Sequence, residues 1–190
     1  TMDGMENSLN ATGIVAGKVV MENGKGVANA SVSLLSGGGL TVSTKTDSLG
    51  RYSFNSVPIG ESIEISATKQ DVSLNGCSVA DLIKVQKHIL NVEGLGSPFQ
   101  WIASDVNLSR TISTLDLIQI RKVILGLDQE FKFVPAWIFL PANASFPNAP
   151  SPFQGSAALP TLFQIGALAG DRLDVNFTGV KYGDVNNSAN

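Results

Sequence analysis

The sequence predicts an α+β protein of more than one domain, with a small antiparallel β-sandwich, a duplicated loop–helix module and a C-terminal extension. Apolar residues alternate with a period of two from Gly13 to about Lys69, and after Gln70 the period changes to that of a helix. A helical segment at 81–90 then returns at 116–125. The chain has 190 residues, of which 43% are hydrophobic and 15% charged, so it can bury a core.

Composition argues against several classes of function. The 13 basic and 16 acidic residues give a net charge of −3, which favours neither nucleic acid nor an anionic membrane surface as a partner. No apolar run approaches the roughly 20 residues that span a bilayer, so we expect no membrane insertion. Cys77 is the single cysteine and His88 the single histidine, which excludes an internal disulfide and a His-rich metal site.

We also expect the protein not to be an enzyme. His88 lies among residues of a predicted helix, and no Gly-x-Ser-x-Gly elbow or other nucleophile setting occurs near it. Cys77 stands at an apolar position of a predicted loop. It is therefore interpreted as a small buried hydrophobic residue and not as a nucleophile.

The first two segments of the chain are a short polar stretch and a β domain. Residues 1–12 lack a pattern and are predicted to be a linker or tag remnant. Residues 13–69 contain five short runs separated by turns rich in Gly, Asn and Ser, which predicts a small antiparallel sandwich. The predicted strands are 14–20, 30–35, 40–44, 51–54 and 63–67.

The last two segments are the duplicated module at 70–130 and the extension at 131–190. The repeated segments 81–90 and 116–125 share six identical residues, which predicts two equivalent helices packed as a pseudo-twofold pair. The extension has little regular pattern, so we expect it to pack on the helical pair. Late strands are predicted in it at 172–177 and 180–182.

A candidate calcium loop lies directly before the second predicted helix. Oxygen-bearing residues at loop positions 1, 3, 5 and 12, with an apolar residue at position 8, match a loop of the EF-hand kind. Alternate short side chains on a tight turn converge on one hard cation, and the last carboxylate arrives from the first helical turn. The predicted ligands are Asp105, Asn107, Ser109, Thr111 through its carbonyl, Ser113 directly or through water, and Asp116.

Arg110 departs from this pattern, because it occupies position 6, where Gly normally provides a positive φ. We expect the exchange to cost about 1 kcal/mol. With only two carboxylates the calcium affinity is expected at the weak end of the range, on the order of 10⁻⁴–10⁻³ M. The alternative is a polar turn in which Asp116 caps a helix without a metal.

The first copy of the loop is one residue short when counted back from Asp81. Read with a gap, its ligands would be Asp71, Ser73, Asn75 and Asp81. A second possibility is a split site. The C-terminal residues Asp184, Asn186 and Ser188 repeat the spacing of positions 1, 3 and 5, and Asp81 would supply position 12. The alternative for these C-terminal residues is a solvated tail or the start of a further module.

The duplicated segment resembles a dockerin type I module, in the divergent form of large Bacteroidota surface proteins. The resemblance is carried by 75–82, 86–90, 103–107, 121–126 and 181–186. The front half resembles a carboxypeptidase regulatory-like, transthyretin-like sandwich. It is carried by Gly17-Lys18-Val19, the Gly26–Val32 stretch, the Thr-Asp-x-x-Gly-x-Tyr-x-Phe hairpin at 46–54, and Val57-Pro58-Ile59-Gly60.

These resemblances imply a non-catalytic, calcium-stabilised structural or interaction module of a secreted or cell-surface bacterial protein, used in adhesion or scaffold attachment. The implied partner is a cohesin-like module in the same chain or another chain; the other expectation is neighbouring copies in a surface assembly. The residues that would face a partner are Val79, Ala80, Thr114 and Leu115, which are more apolar than the Ser/Thr pairs of cellulosomal dockerins.

The alternative function is a carbohydrate-binding accessory module of a secreted multidomain hydrolase. Such a module needs aromatic side chains that stack on sugar rings. Aromatic residues make up only 7% of the chain and are scattered. The four candidates are Tyr52, Trp101, Trp137 and Tyr182. Trp101 and Trp137 are expected instead to pack between the helices and the extension.

Overall fold

The computed structural model of the chain describes residues 11–147, 149–153 and 158–189. Most of the predicted linker at 1–12 lies outside these residues, and the first strand already begins at Thr12. The order of elements is five strands, three helices and three further strands.

The five predicted strands of the front half are present, and the two-sheet β-sandwich is confirmed. Alternate residues are buried along most of these strands and half-buried along the strand at 41–45, because side chains of a strand point to opposite faces of its sheet. The strands are β1 (Thr12–Val20), β2 (Ser31–Ser36), β3 (Thr41–Lys45), β4 (Arg51–Pro58) and β5 (Ile63–Thr68).

Both predicted helices form, together with a third helix between them. The helices are α1 (Val79–Ile89), α2 (Pro98–Ser104) and α3 (Thr114–Ile124). Equivalent capping boxes begin α1 and α3, formed by Ser78 with Asp81 and by Ser113 with Asp116. The sequence did not predict α2, because its seven residues span less than two helical turns and show no clear period.

The extension does more than pack on the helices, which corrects the prediction for 131–190. It forms β6 (Trp137–Pro141), β7 (Phe163–Ile165) and β8 (Phe177–Lys181). The two four-stranded sheets have the orders β4-β1-β8-β6 and β3-β2-β5-β7, so the extension supplies strands to both. β8 pairs in parallel with β1 and antiparallel with β6. Backbone pairing with the exposed edges of the front-half sheets explains this placement.

Two hydrophobic cores meet at the β6–β8 pair. The first fills the space between the sheets and includes Val15, Leu34 and Phe54 of the front half with Phe139 and Phe177 of the extension. The second lies between the helices and the opposite side of the β6–β8 pair. Its members include Val85, Ile102, Ile120, Leu140 and Val180. The extension therefore forms a layer shared by both cores.

Gly17 shows how closely the extension approaches β1. A Cβ atom added at Gly17 would collide with the backbone carbonyl of Val175. On either side of this contact, the amide of Lys18 donates to the Asn176 side chain (2.8 Å) and the amide of Val175 donates to the carbonyl of Ala16 (3.1 Å). Only glycine allows the two backbones to lie this close.

We expect Gly17→Ala to lower the free energy of unfolding by about 1–3 kcal/mol, because the new methyl group must displace the backbone of the extension. Urea denaturation measures the effect. Gly94→Ala is the control, since an added Cβ there meets no atom within 4 Å. Equal stability of the two variants would contradict the close packing of the extension on β1.

Candidate metal sites

The loop between α2 and α3 closes around two buried carboxylates. Asp105 follows the last residue of α2, and its two oxygens accept hydrogen bonds from the amides of Ser109 and Arg110, each at 2.9 Å. Asp116 lies in the first turn of α3 and accepts from the amides of Asn107 (3.3 Å) and Ser113 (3.0 Å). The first and last predicted ligands are thus joined to the same turn of backbone.

Arg110 adopts the left-handed conformation that position 6 requires, with a φ of 62°. Leu108, at position 4, also has a positive φ, of 57°. Each costs about 1 kcal/mol, because the Cβ of an L-residue crowds its own backbone there. The departure from glycine therefore does not change the path of the loop.

The other predicted ligands of this loop bond to one another. The side-chain oxygen of Asn107 accepts from the Ser109 amide (2.8 Å), and the Ser109 hydroxyl donates to the Thr111 carbonyl (2.9 Å). The Ser113 hydroxyl donates to Asp116 (3.1 Å). A metal at this loop would replace some of these contacts with coordination bonds.

The C-terminal residues make the same pattern against Asp81. The carboxylate of Asp184 accepts from the amides of Ser188 and Ala189, each at 2.9 Å. The carboxylate of Asp81 accepts from the amides of Val185 (2.8 Å) and Asn186 (3.0 Å), and from Ser78 (2.9 Å). These bonds repeat those of the loop from Asp105 to Asp116, with Asp184 in the role of Asp105 and Asp81 in that of Asp116.

The backbone and burial of the two half-loops also correspond. Asn187 has a φ of 60°, as Leu108 does at the equivalent position. Asp184 is 2% exposed and Asp105 1%. The side-chain oxygen of Asn186, at position 3, is buried and has no hydrogen-bond partner. A buried oxygen without a donor fits a position that could serve as a ligand of a cation.

The residues predicted as the front half of the degenerate loop, Asp71, Ser73 and Asn75, make their described hydrogen bonds with partners other than Asp81. Asp71 accepts from the Trp137 indole (2.9 Å) and the Asn75 side chain (2.8 Å), and the Ser73 hydroxyl accepts from the Phe131 amide (3.3 Å). The structure therefore brings Asp81 together with the C-terminal residues of the split alternative, and it gives Asp71, Ser73 and Asn75 other partners.

A buried lysine contacts the backbone of the segment at residues 71–75. Lys181 is 1% exposed, and its ammonium donates to the carbonyls of Val72 (3.0 Å) and Ser73 (3.2 Å). Burial lowers the pKa of Lys181, and the nearby Cys77, Asp71 and Asp184 oppose that shift. This segment wraps around a positive charge that belongs to the protein itself.

Burial governs the remaining electrostatics. It raises the pKa of Asp105, and the Asp116 charge raises it further, while burial also raises the pKa of Asp116. The pKa of Asp184 is raised by burial and by Asp81. For Asp71 burial acts in the same direction, but hydrogen bonds from Trp137 and Asn75 outweigh it and lower the pKa. In each loop, burial and a neighbouring carboxylate thus act against the ionised form of an aspartate.

The donor set suits a hard cation. Within the described ranges, no group of three or more His, Cys, Asp or Glu side chains could hold a metal. Each loop instead offers two carboxylates together with amide, hydroxyl and carbonyl oxygens. Oxygen-only sets of this kind fit calcium, whereas zinc prefers nitrogen and sulfur. Cys77 is buried, burial raises the pKa of its thiol to about 12, and the thiol donates to the carbonyl of Ser73 (3.0 Å).

The four residues predicted to face a partner are exposed at the starts of α1 and α3. Val79 and Leu115 are each 61% exposed. The four aromatic residues of the carbohydrate alternative are placed differently. Tyr52, Trp137 and Tyr182 are at most 5% exposed, and Trp101 packs edge-on against His88 and Phe153. These four residues do not form an exposed stacking platform.

Comparison with known proteins gives one family match, in the front half. Residues 14–74 match the family model of the carboxypeptidase regulatory-like domain. No curated protein matches the chain. Among the described residues, no helix has both the length and the apolar character needed to cross a bilayer.

Two solved structures share limited similarity with the chain. One is the C-terminal fragment of the pilus adhesin SpaC from Lactobacillus rhamnosus GG, with a TM-score of 0.28 and 13% identity, covering 32% of this chain and 24% of that one. The other is BcpA, the major pilin subunit of Bacillus cereus, with a TM-score of 0.29 and 21% identity. That match covers 33% of this chain and 20% of BcpA.

We expect Lys181→Met to lower the free energy of unfolding by about 1–3 kcal/mol, because it removes the buried ammonium that donates to the carbonyls of Val72 and Ser73. Guanidinium denaturation measures the loss. Lys45→Met, at an exposed position of β3, is the control and should be nearly neutral. A Lys181→Met protein as stable as the control would show that the ammonium does not hold residues 71–75.

We expect a pH dependence from His88. Its Nδ1 accepts from the Leu95 amide (3.3 Å), and burial lowers its pKa, so the neutral ring is favoured in the folded state. The stabilisation that neutral His88 gives the folded state is present above the pKa of the unfolded chain, about 6.5. It is lost as the pH falls below that value. When the free energy of unfolding is measured by denaturation between about pH 7.5 and 5.5, it should fall less for His88→Gln than for the unaltered protein. Parallel pH profiles would contradict this assignment.

Proposed function

We propose that the chain is a non-catalytic structural module of a secreted or cell-surface bacterial protein, stabilised by calcium at two loops. In this proposal one ion binds the contiguous loop from Asp105 to Asp116. A second ion binds the split site formed by Asp184, Asn186 and Ser188 with Asp81. The β-sandwich acts as a spacer or adhesion unit, and the dockerin-like helices form a rigid joint or docking face.

One observation carries the proposal: two separate stretches of backbone donate the same set of hydrogen bonds to two equivalent pairs of buried aspartates. Both pairs bring two aspartate side chains together in a buried position. Such an arrangement is costly unless a positive charge compensates it. The unpartnered oxygen of Asn186 supports the same interpretation for the split site.

The residues present fit a calcium ion of modest affinity. Calcium accepts six to eight oxygen ligands in flexible geometry, and the loops offer carboxylate, amide, hydroxyl and carbonyl oxygens. Two carboxylates per site correspond to a dissociation constant on the order of 10⁻⁴–10⁻³ M. Such sites are filled where free calcium is at millimolar levels. This requirement supports an extracellular location and not a cytosolic one.

The exposed residues Val79, Ala80, Thr114 and Leu115 form the docking face of this proposal. Their apolar side chains at the starts of two equivalent helices suit a cohesin-like module as partner. Binding of a purified cohesin module to the chain, measured by calorimetry, should be weakened by a Val79→Asp/Leu115→Asp variant. Unchanged binding by that variant would exclude this face, and no binding by either protein would remove cohesin modules as partners.

We expect calcium to raise the melting temperature. An ion that binds the native state and not the unfolded chain stabilises by RT ln(1 + [Ca²⁺]/Kd). At 10-fold to 100-fold excess over Kd this is about 1.4–2.7 kcal/mol for each site, which corresponds to several degrees. Calorimetric melts in EDTA and in about 10 mM calcium measure the shift. Identical melting temperatures in the two conditions would overturn the proposal.

The two sites should be separable by substitution. Calcium titration of the unaltered chain should give two ions per chain, and Asp184→Ala or Asp105→Ala should each remove one. Asp128→Asn is the control, since Asp128 is exposed and pairs with Lys122 on the surface. A count of two in Asp184→Ala would exclude the split site while leaving the contiguous one in place.

A further inference from the structure

The C-terminal loop is held from a second side by the turn that follows β1. The Asn23 side chain donates to the carbonyl of Asn187 (3.0 Å), and the Lys25 ammonium donates to the carbonyl of Ala189 (2.8 Å). In return, the Asn187 side chain donates to the Glu22 carboxylate (3.4 Å). These contacts join the sandwich to the residues that face Asp81.

Packing reinforces the same junction. Ala189 is 1% exposed and belongs to the core of the sandwich, although its amide donates to the carboxylate of Asp184. The Ser188 hydroxyl donates to the carbonyl of Gly76, just before α1 (3.1 Å). The loop from Asp184 to Ala189 therefore contacts the sandwich on one side and the helical module on the other.

The contiguous loop differs in this respect. The hydrogen bonds to Asp105 and Asp116 come from residues of that loop itself, at Asn107, Ser109, Arg110 and Ser113. Among the described hydrogen bonds, those of the split site depend on three separate parts of the chain. One loop is local, and the other joins two domains.

We propose that calcium binding at the split site and docking of the turn from Glu22 to Lys25 are coupled, so that the ion tightens the joint between the sandwich and the helices. This inference rests on the proposed calcium sites. The turn holds the C-terminal loop in the conformation that converges on the ion. Because coupling is reciprocal, an ion bound there must hold the turn in place as strongly as the turn assists the ion.

The first test compares calcium affinities. An Asn23→Ala/Lys25→Met variant should lose affinity about 5-fold or more at one of two sites and keep the other unchanged. The matched control is Asn55→Ala/Lys45→Met, which removes the same two side-chain types from exposed positions of β4 and β3. Isothermal titration with calcium gives both affinities, and the unchanged contiguous site reports that the variant is folded.

The second test uses the unaltered chain. Hydrogen exchange of the backbone amides of residues 21–27 should slow when calcium is added. Asp184→Asn should abolish that change, and Asp105→Asn should preserve it. This readout needs no variant of the turn itself.

The outcomes separate the coupling from the proposed function. The coupling would be overturned if the turn variant bound two calcium ions with unaltered affinity and calcium did not change hydrogen exchange at residues 21–27. The proposed calcium sites would then remain supported. A chain that binds no calcium at all would overturn both. Loss of affinity at both sites to the same extent would also contradict the coupling, since only the split site contacts the turn.

Discussion

The pairing of β8 with β1 is the constraint on which the rest of the molecule depends. Because Val19 and Val20 pair with Phe177 and Thr178, the chain leaves the sandwich heading toward the helices. This pairing also determines where the residues at the end of β8 and after it lie. Lys181 enters the segment after β5, and Asp184 arrives beside Asp81. One strand thus sets the sandwich, the second core and the split site together.

Charge explains why the two equivalent half-loops and the segment at 71–75 behave differently. The carbonyls of Val72 and Ser73 are satisfied by the ammonium of Lys181, so this segment carries its own cation. The aspartate pairs at 105 and 116 and at 81 and 184 instead accept hydrogen bonds from backbone amides and serine hydroxyls. Amides stabilise a carboxylate but do not cancel a second negative charge beside it. This difference is why the proposed function assigns an external cation to the two aspartate pairs and not to residues 71–75.

The sequence could predict what repeats locally and could not predict what the chain brings together over long distances. Five strands and two helices follow from periodicity, and position 12 of each loop follows from the duplication of Asp81 and Asp116. By contrast, β7 is only three residues long, and nothing in Phe163–Ile165 indicates its partner β5. Asp71 was a plausible ligand because it is near Asp81 in sequence. Its bond to Trp137 depends on the return of the extension, which no local pattern records.

Separation along the chain also determines what calcium can do to the unfolded state. Asp81 and Val185 are 104 residues apart, whereas Asn107 and Asp116 are nine apart. From loop-closure entropy alone, bringing Asp81 and Val185 together in the unfolded chain costs about 2 kcal/mol more than bringing Asn107 and Asp116 together. Weak binding to the unfolded chain reduces the stabilisation that an ion provides, and the contiguous loop is open to that loss. If the two proposed sites bind calcium with equal native affinity, the split site would therefore convert that binding into stability more completely.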